Sequence, residues 1–241
     1  MGWTEIFVSH EAAGSTGDVA ESVQLGHSIL LFNSFANRDE CAELSREAFK
    51  VAAVEQSPSK VEFLTVTEVL SQAGQATSDS LLVQAMAHAM EQLPPLMPKL
   101  FGDCHMPAST CMFNPKLTFS EAEPWVIVYG VGGQFTQHTD GQALTILMPL
   151  TDSESCQGGG TAFWSPKDYG APGENTTPTF VLSPPAGSAI LFAGSVVHAG
   201  HAITAGERVA LVASFSPSDN TCDADTRWKS TIVIDGEKYT L

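Results

Sequence analysis

Residues 134–142 read QFTQHTDGQ and lie between two apolar runs, EPWVIVYG and ALTILMPL. Within them His138 and Asp140 stand one residue apart. Along an extended segment, residues i and i+2 face the same side. His-x-Asp therefore offers an imidazole and a carboxylate to one point in space. With a second histidine this becomes the two-histidine, one-carboxylate facial set that suits Fe(II) and leaves coordination positions open. The same residues also fit a hairpin tip, because Thr-Asp-Gly-Gln is good turn chemistry. On that reading His138 and Asp140 are solvated loop residues. The choice depends on whether the chain supplies a second histidine.

Two candidates occur in FAGSVVHAGHAITAGERVALVASF, namely His198 and His201. His198 is expected to follow a strand and begin a Gly-punctuated turn. A strand-end histidine there and the earlier His-x-Asp would meet at one mouth of a barrel. Further along the same stretch, Arg208 opens an apolar strand. A charge there is costly unless paired. The planar guanidinium suits a carboxylate, which is either an internal acid or an anionic ligand.

The elements that must position these groups are legible as a change of texture. Residues 37–54 read as an amphipathic helix, with Cys41, Leu44, Ala48 and Val51 on one face. Asn37 and Glu40 form its expected capping box. Residues 79–93 predict a second helix, striped by Leu82, Ala85, Met86, Ala89 and Leu93 and stopped at Pro94-Pro95. After residue 123 the apolar runs become short and β-rich, separated by Gly, Pro and Ser clusters. That is the pattern of an all-β sandwich or barrel. HSILLFN and KVEFLTV are strands that extend its sheets. QSPSK, SQAGQATS and DYGAPGENTTP read as loops. No βαβ alternation and no repeat is visible. The expectation is one unit over 1–241, with a β core at about 123–234 and N-terminal strand and helix support at about 1–122.

The chain has 241 residues, and 43% of them are hydrophobic, enough for a sizeable core. Its formal charge of -16 comes from 11 basic and 27 acidic residues. Such a field repels phosphate backbones and argues against nucleic acid as a partner. No run approaches the roughly 20 apolar residues of a membrane span. The N-terminus MGWTEIFVSHEAAG lacks a basic region followed by an apolar one. Ile6 stands where a myristoylation site needs Ser or Thr. A cytoplasmic protein without membrane attachment is expected. Cys41, Cys104, Cys111, Cys156 and Cys222 form no Cys-x-x-Cys pair, which excludes a zinc ribbon and predicts free thiols.

The ordered blocks YGVGGQFTQHTD, GGGTAFWSP and LSPPAGSAILFAGSVVHAGHAITAGER resemble the Fe(II)- and 2-oxoglutarate-dependent oxygenases, most of all their prolyl 4-hydroxylase branch. The likeness runs through Tyr129, Gly133, Phe135, His138 and Asp140, then Gly159, Gly160, Thr161 and Phe163, then Pro185, Gly187, Ala189 and Phe192. It ends on His198, Gly200, Ile203, Gly206 and Arg208. Several ordered blocks outweigh one isolated pair. LLFNSFANRDECAELSREA also resembles the strand-turn-helix with which that branch often begins. The resemblance implies a double-stranded β-helix (jelly roll). It assigns iron to His138, Asp140 and His198, leaves His201 outside the ligand set, and gives Arg208 the distal carboxylate of 2-oxoglutarate. It implies hydroxylation of an unactivated C–H bond by dioxygen, with release of succinate and CO2 and with ascorbate as an accessory reductant. Asp140 argues against the halogenase variant, in which the carboxylate is missing.

Two positions depart from the branch. Many members carry a tyrosine on the strand after His-x-Asp to assist the basic residue; ALTILMPL has none, so Tyr129 or Thr145 is the expected substitute. Arg208 stands where the prolyl branch usually has lysine. The substrate is a peptidyl proline, a free amino acid or a small metabolite. Trp125 and Trp164 are the weak candidates for its pocket, against core packing for either. SPSKVEFLTVTEVLSQAGQATSDS and the loop near DYGAPGENTT are candidate lids. A non-enzymatic cupin-like or oxygenase-like binding domain is the alternative. Oligomeric state is not legible.

Overall fold

The computed structural model describes residues 2–8, 17–54, 56–101, 117–120, 123–169, 176–217, 231–234 and 237–240. The first half contributes strands β1 (Trp3–Phe7), β2 (Ser28–Phe32), β3 (Val61–Thr65) and β4 (Leu117–Phe119). Its helices are α1 (Val19–Gln24), α2 (Arg38–Val51), α3 (Val66–Val69), α4 (Gln72–Gln92) and α5 (Leu96–Phe101). The second half supplies β5 (Trp125–Tyr129), β6 (Leu144–Pro149), β7 (Cys156–Gly158), β8 (Thr161–Trp164) and β9 (Phe180–Leu182). It continues with β10 (Ala189–Ala193), β11 (Val197–Gly200), β12 (Ile203–Gly206) and β13 (Arg208–Pro217).

One eight-stranded antiparallel sheet runs β1–β2–β10–β6–β13–β5–β3, and β4 pairs the far end of β13. Across from it stand β11–β8–β9 and β12–β7. This is the double-stranded β-helix that the sequence predicts. A last hairpin, β14 (Thr231–Ile234) with β15 (Glu237–Thr240), joins neither sheet among the described residues.

The large sheet is buried on both faces, so its strands are apolar throughout rather than alternating. Strict side-chain parity still divides them. Ile146, Met148, Leu191, Leu211 and Ala213 point to one face and pack with Leu44, Ala48, Leu82 and Met86 of α2 and α4. Leu147, Ile190, Phe192 and Ala210 point to the other face and meet Phe163 of β8. Ile127 and Tyr129 on that same face meet Ile203 of β12. The helices thus brace one side and leave the other free to enclose a site.

α2 begins where expected: Asn37 accepts from Asp39 N–H, and Glu40 returns to Asn37 N–H. α4 starts earlier than its stripe suggests. SQAGQATS is its N-terminal part rather than a loop, because the Ser71 hydroxyl accepts from Gly74 N–H and caps the first turn. The segment read as a candidate lid, 57–80, is mostly regular structure. β3 within it is hydrogen-bonded to β5 along its length, so it forms a wall. Residues 170–175, the centre of the other candidate lid, lie outside the described residues, as do Cys104, Cys111 and Cys222. Cys41 and Cys156 are free thiols. Among the described residues no helix is long and apolar enough to cross a membrane.

Ile146 lies wholly buried between the sheet and the helices. Ile146→Ala should cost about 2–5 kcal/mol, read as a lower urea midpoint with an unchanged slope. A cost near zero would show that this face is not the packed one.

Candidate metal centre

The segment 132–140 is not a free hairpin tip. It is stitched to β11 and β12 by backbone bonds: Gly132 N–H to Ile203 O at 2.8 Å and Phe135 N–H to Gly200 O at 2.9 Å. His138 and His198 then exchange both of theirs, at 3.0 and 2.9 Å. Asp140 N–H donates to Gly194 O at 2.9 Å. His198 therefore sits inside β11, opposite Phe163 of β8, rather than at the start of a turn as its glycines suggest. The correction has a simple cause: Gly200 ends the strand and does not interrupt it.

The outcome is convergence. His138 Nε2 lies 3.6 Å from one Asp140 oxygen, and His198 Nε2 lies 3.6 Å from the other. These spacings are too long for hydrogen bonds. The three donors lie within 4.8 Å of one another, a group that can hold one metal ion. Each imidazole is aimed from behind. Nδ1 of His138 is 3.0 Å from Thr136 O, and Nδ1 of His198 is 3.0 Å from Val196 O. With the proton on Nδ1 facing a carbonyl, the Nε2 lone pair faces the group. Burial pushes His198 down to about 4, Asp140 opposes that, and His138 adds to it. Its ring is therefore neutral, as a ligand must be, across the physiological range.

Thr145 on β6 is fully buried and donates its hydroxyl to Asp140 Oδ2. It also lies 3.2 Å from the Ser214 hydroxyl. Its expected role beside Arg208 is thus corrected. Residue 145 faces Asp140 across the sheet's inner face, and its one proton is spent there. Tyr129 does stand beside Arg208, whose guanidinium carbon is 5.0 Å from the ring centroid. Arg208 Nη2 also donates to the Thr161 hydroxyl at 3.1 Å. Arg208 is buried, and its Nη1 has no hydrogen-bond partner. No carboxylate pairs with it among the described residues. An unpaired buried guanidinium is costly, and this arrangement suits an anion.

A cavity opens over the three donors, walled by Phe63, Trp125, Tyr129 and Phe135 and reaching Thr161 at its Arg208 end. Trp125 lines it; Trp164 does not. Trp164 is buried beside Ala162 and Ala199, and its ring N–H donates to Thr176 O at 3.2 Å. His201 is exposed and outside the donor group. The walls leave little slack. A Cβ on Gly200 would come within 2.7 Å of the Tyr129 ring, and one on Gly194 would strike the Gln142 carbonyl beside Asp140.

Sequence reasoning missed Thr161, Ser214 and Glu123 as site residues. Ser214 was findable by parity, since 208, 210, 212 and 214 share one strand face. Glu123 lines the cavity and accepts from Ser214 N–H. Burial pushes it up to about 8; the Ser214 N–H works against this and the Asp140 charge works with it.

Residues 124–215 match the family model described as 2OG-Fe(II) oxygenase superfamily. This stretch is a 2OG-Fe(II) oxygenase domain, an enzyme domain that works with Fe(II) and 2-oxoglutarate. No curated protein matches the sequence. Among solved structures, the epimerase SnoN in complex with Fe3+, alpha ketoglutarate and nogalamycin RO is similar in fold. The identity is 15%, over 81% of this chain and 82% of that one, with a TM-score of 0.51. SnoN from nogalamycin biosynthesis, described as a non-heme alpha ketoglutarate dependent epimerase, gives 0.53 at the same identity and coverage. A Pseudomonas putida prolyl-4-hydroxylase aligns at 17% identity over 81% of this chain and 95% of its own, with a TM-score of 0.45.

Two measurements probe this geometry. Thr145→Val removes the hydroxyl on Asp140 and keeps the side-chain shape. It should weaken Mn(II) binding about 10–100-fold in calorimetry; unchanged affinity would refute the supporting role. The second concerns Glu123 in metal-free protein. An ordinary glutamate titrates near 4.5 and Glu123 near 8, so the native state holds an extra proton between these values. Wild-type stability should therefore fall as pH rises through that window. Glu123→Gln should not show this fall, and parallel melting curves for the two proteins would contradict the assignment.

Proposed function

We propose that His138, Asp140 and His198 hold Fe(II), and that Arg208 receives the distal carboxylate of 2-oxoglutarate. The reaction proposed is hydroxylation of an unactivated C–H bond in a peptidyl proline, a free amino acid or a small metabolite by dioxygen, one oxygen atom entering the product and the other entering succinate, with release of CO2. One observation carries the reading. A three-donor group that calls for a cation shares a cavity wall, through Thr161, with a buried guanidinium that calls for an anion. Fe(II) with chelated 2-oxoglutarate satisfies both, and a cupin-like or scaffold domain needs neither.

When bound, Fe(II) and 2-oxoglutarate would together activate dioxygen, which is the oxidant, and the keto acid would leave as succinate and CO2. The chain's own residues do the positioning. Thr136 O and Val196 O fix the two imidazoles, and Thr145 steers the Asp140 carboxylate. Thr161 and Tyr129 hold the Arg208 fork in place. The aromatic walls limit water beside the reacting carbon. Residues 1–241 are read as one oxygenase unit, because β1, β2 and β3 are strands of the sheet that carries Arg208.

Purified protein should bind one Fe(II) or Mn(II) per chain and turn over 2-oxoglutarate slowly without a prime substrate. His138→Ala and His198→Ala should abolish succinate formation, whereas His201→Ala should retain most of it. Equal loss in His201→Ala would mean that the wrong histidine is assigned. Arg208→Ala should leave metal binding nearly intact. It should weaken 2-oxoglutarate by roughly two to four orders of magnitude, since stranding one partner of a buried charge pair costs about 3–5 kcal/mol. Arg208→Lys should be milder, because it keeps the charge and loses the fork. Anaerobic titration of the Mn(II) forms reads both effects. Wild-type affinity in Arg208→Ala would remove 2-oxoglutarate from the account.

A further inference from the structure

Glu123 is a carboxylate that the chain builds into the cavity with no basic partner among the described residues. Its position is fixed: Glu123 N–H donates to Ser120 O at 3.2 Å, and Ser120 N–H donates to Ser214 O at 3.0 Å. One carboxylate oxygen accepts from Ser214 N–H. The Ser214 side chain also hydrogen-bonds the carboxylate, and no described lysine or arginine pairs with Glu123. The carboxylate nonetheless lines the same cavity as His138, Asp140 and His198. It also lies close to that group in the hydrogen-bond network. The Ser214 hydroxyl is 3.2 Å from Thr145 Oγ1, which in turn donates to Asp140.

The walls beside it are aromatic. Trp125 is two residues on, on the same inward face, and Phe63 packs edge-on against it with centroids 5.7 Å apart. A carboxylate with no cationic partner, framed by aromatic rings, is the chemistry that selects an ammonium group, by charge-assisted hydrogen bonding and by attraction to the ring faces. The acidic balance of the chain, -16, works in the same direction by drawing cations toward its surface.

We propose that the prime substrate is a cationic amine, held by its ammonium group on Glu123 while the C–H bond to be oxidised lies over the metal. The inference rests on the proposed function for the cavity's being the substrate site, and it narrows the substrate class within that function. Glu123 is then a specificity-determining residue. In the empty site burial keeps a proton on Glu123 up to about pH 8; an ammonium partner offsets that burial cost, so the proton leaves to solvent and an ion pair forms.

The test uses the full chain loaded with Mn(II) and 2-oxoglutarate, a form that does not turn over. The probes are n-butylammonium and its neutral isostere 1-butanol, followed by ligand-observed proton NMR, with the Zn(II) form as the diamagnetic control. Protons of butylammonium should relax faster in the Mn(II) form, with saturable binding at least about tenfold tighter than that of 1-butanol. Glu123→Gln should lose about ten- to hundredfold, the worth of a hydrogen bond to a charged group. Equal binding of the two probes to wild type would overturn the proposal, as would no Mn(II)-dependent relaxation of butylammonium or undiminished binding in Glu123→Gln. The wild-type comparison of the two probes decides the matter even if the variant fails to fold. Because 2-oxoglutarate binding is titrated in the same samples, loss of the amine effect with intact cosubstrate binding rejects this inference alone.

Discussion

Two backbone hydrogen bonds, exchanged between His138 and His198, bring an irregular segment and strand β11 into antiparallel register. The arrangement of the site follows from that contact. The paired residues carry their imidazoles on the same side, with ring centroids 4.3 Å apart. Asp140, two residues past His138, is pinned by Gly194 O and turned toward both Nε2 atoms. If the register slipped by one residue, the histidine would move to the opposite face of the strand. Glycine at 194 and 200 is part of the same constraint, because any side chain there would push apart the segments that the two bonds hold together.

The large sheet turns this local contact into a site with two ends. Its outer face is bound to α2 and α4 by aliphatic packing, which makes the inner face a rigid floor. On that floor Thr145, Ser214 and Arg208 come from two neighbouring strands paired in register, with Thr145 opposite Ser214. One end of the floor supports Asp140, and the other presents an unpaired guanidinium beside Tyr129 and Thr161. Thr145 and Ser214 on this floor are hydrogen-bonded, whereas Arg208 Nη1 has no partner among the described residues. Connected buried polar groups hold a unique geometry, and an unpaired buried guanidinium suits an anionic partner.

Much of this was legible from residue types and spacing. His138, Asp140 and His198 carry their motif blocks with them, and a charged residue opening an apolar strand made Arg208 conspicuous. The Asn37–Glu40 capping box was readable because it is local. Contacts that depend on pairing between distant strands were not. Parity puts Thr145 and Ser214 on some inward face, but only the β6–β13 register places them together at Asp140. Thr161 reaches Arg208 because β8 crosses over the sheet, a placement with no trace in the local sequence. The polar, small-residue start of α4 reads as a loop by composition, yet the Ser71 cap makes it helix.

The central claim is that one cation and one dicarboxylate complete this cavity together, the cation at the three donors and the far carboxylate at Arg208. A crystal grown with Mn(II) and 2-oxoglutarate, with anomalous scattering recorded at the manganese edge, tests it directly. The account predicts a single anomalous peak bonded to His138 Nε2, His198 Nε2 and an Asp140 oxygen, with the distal carboxylate of 2-oxoglutarate in a two-point contact with Arg208. Manganese bound elsewhere, or a carboxylate turned away from Arg208 with the guanidinium still unpaired, would contradict it.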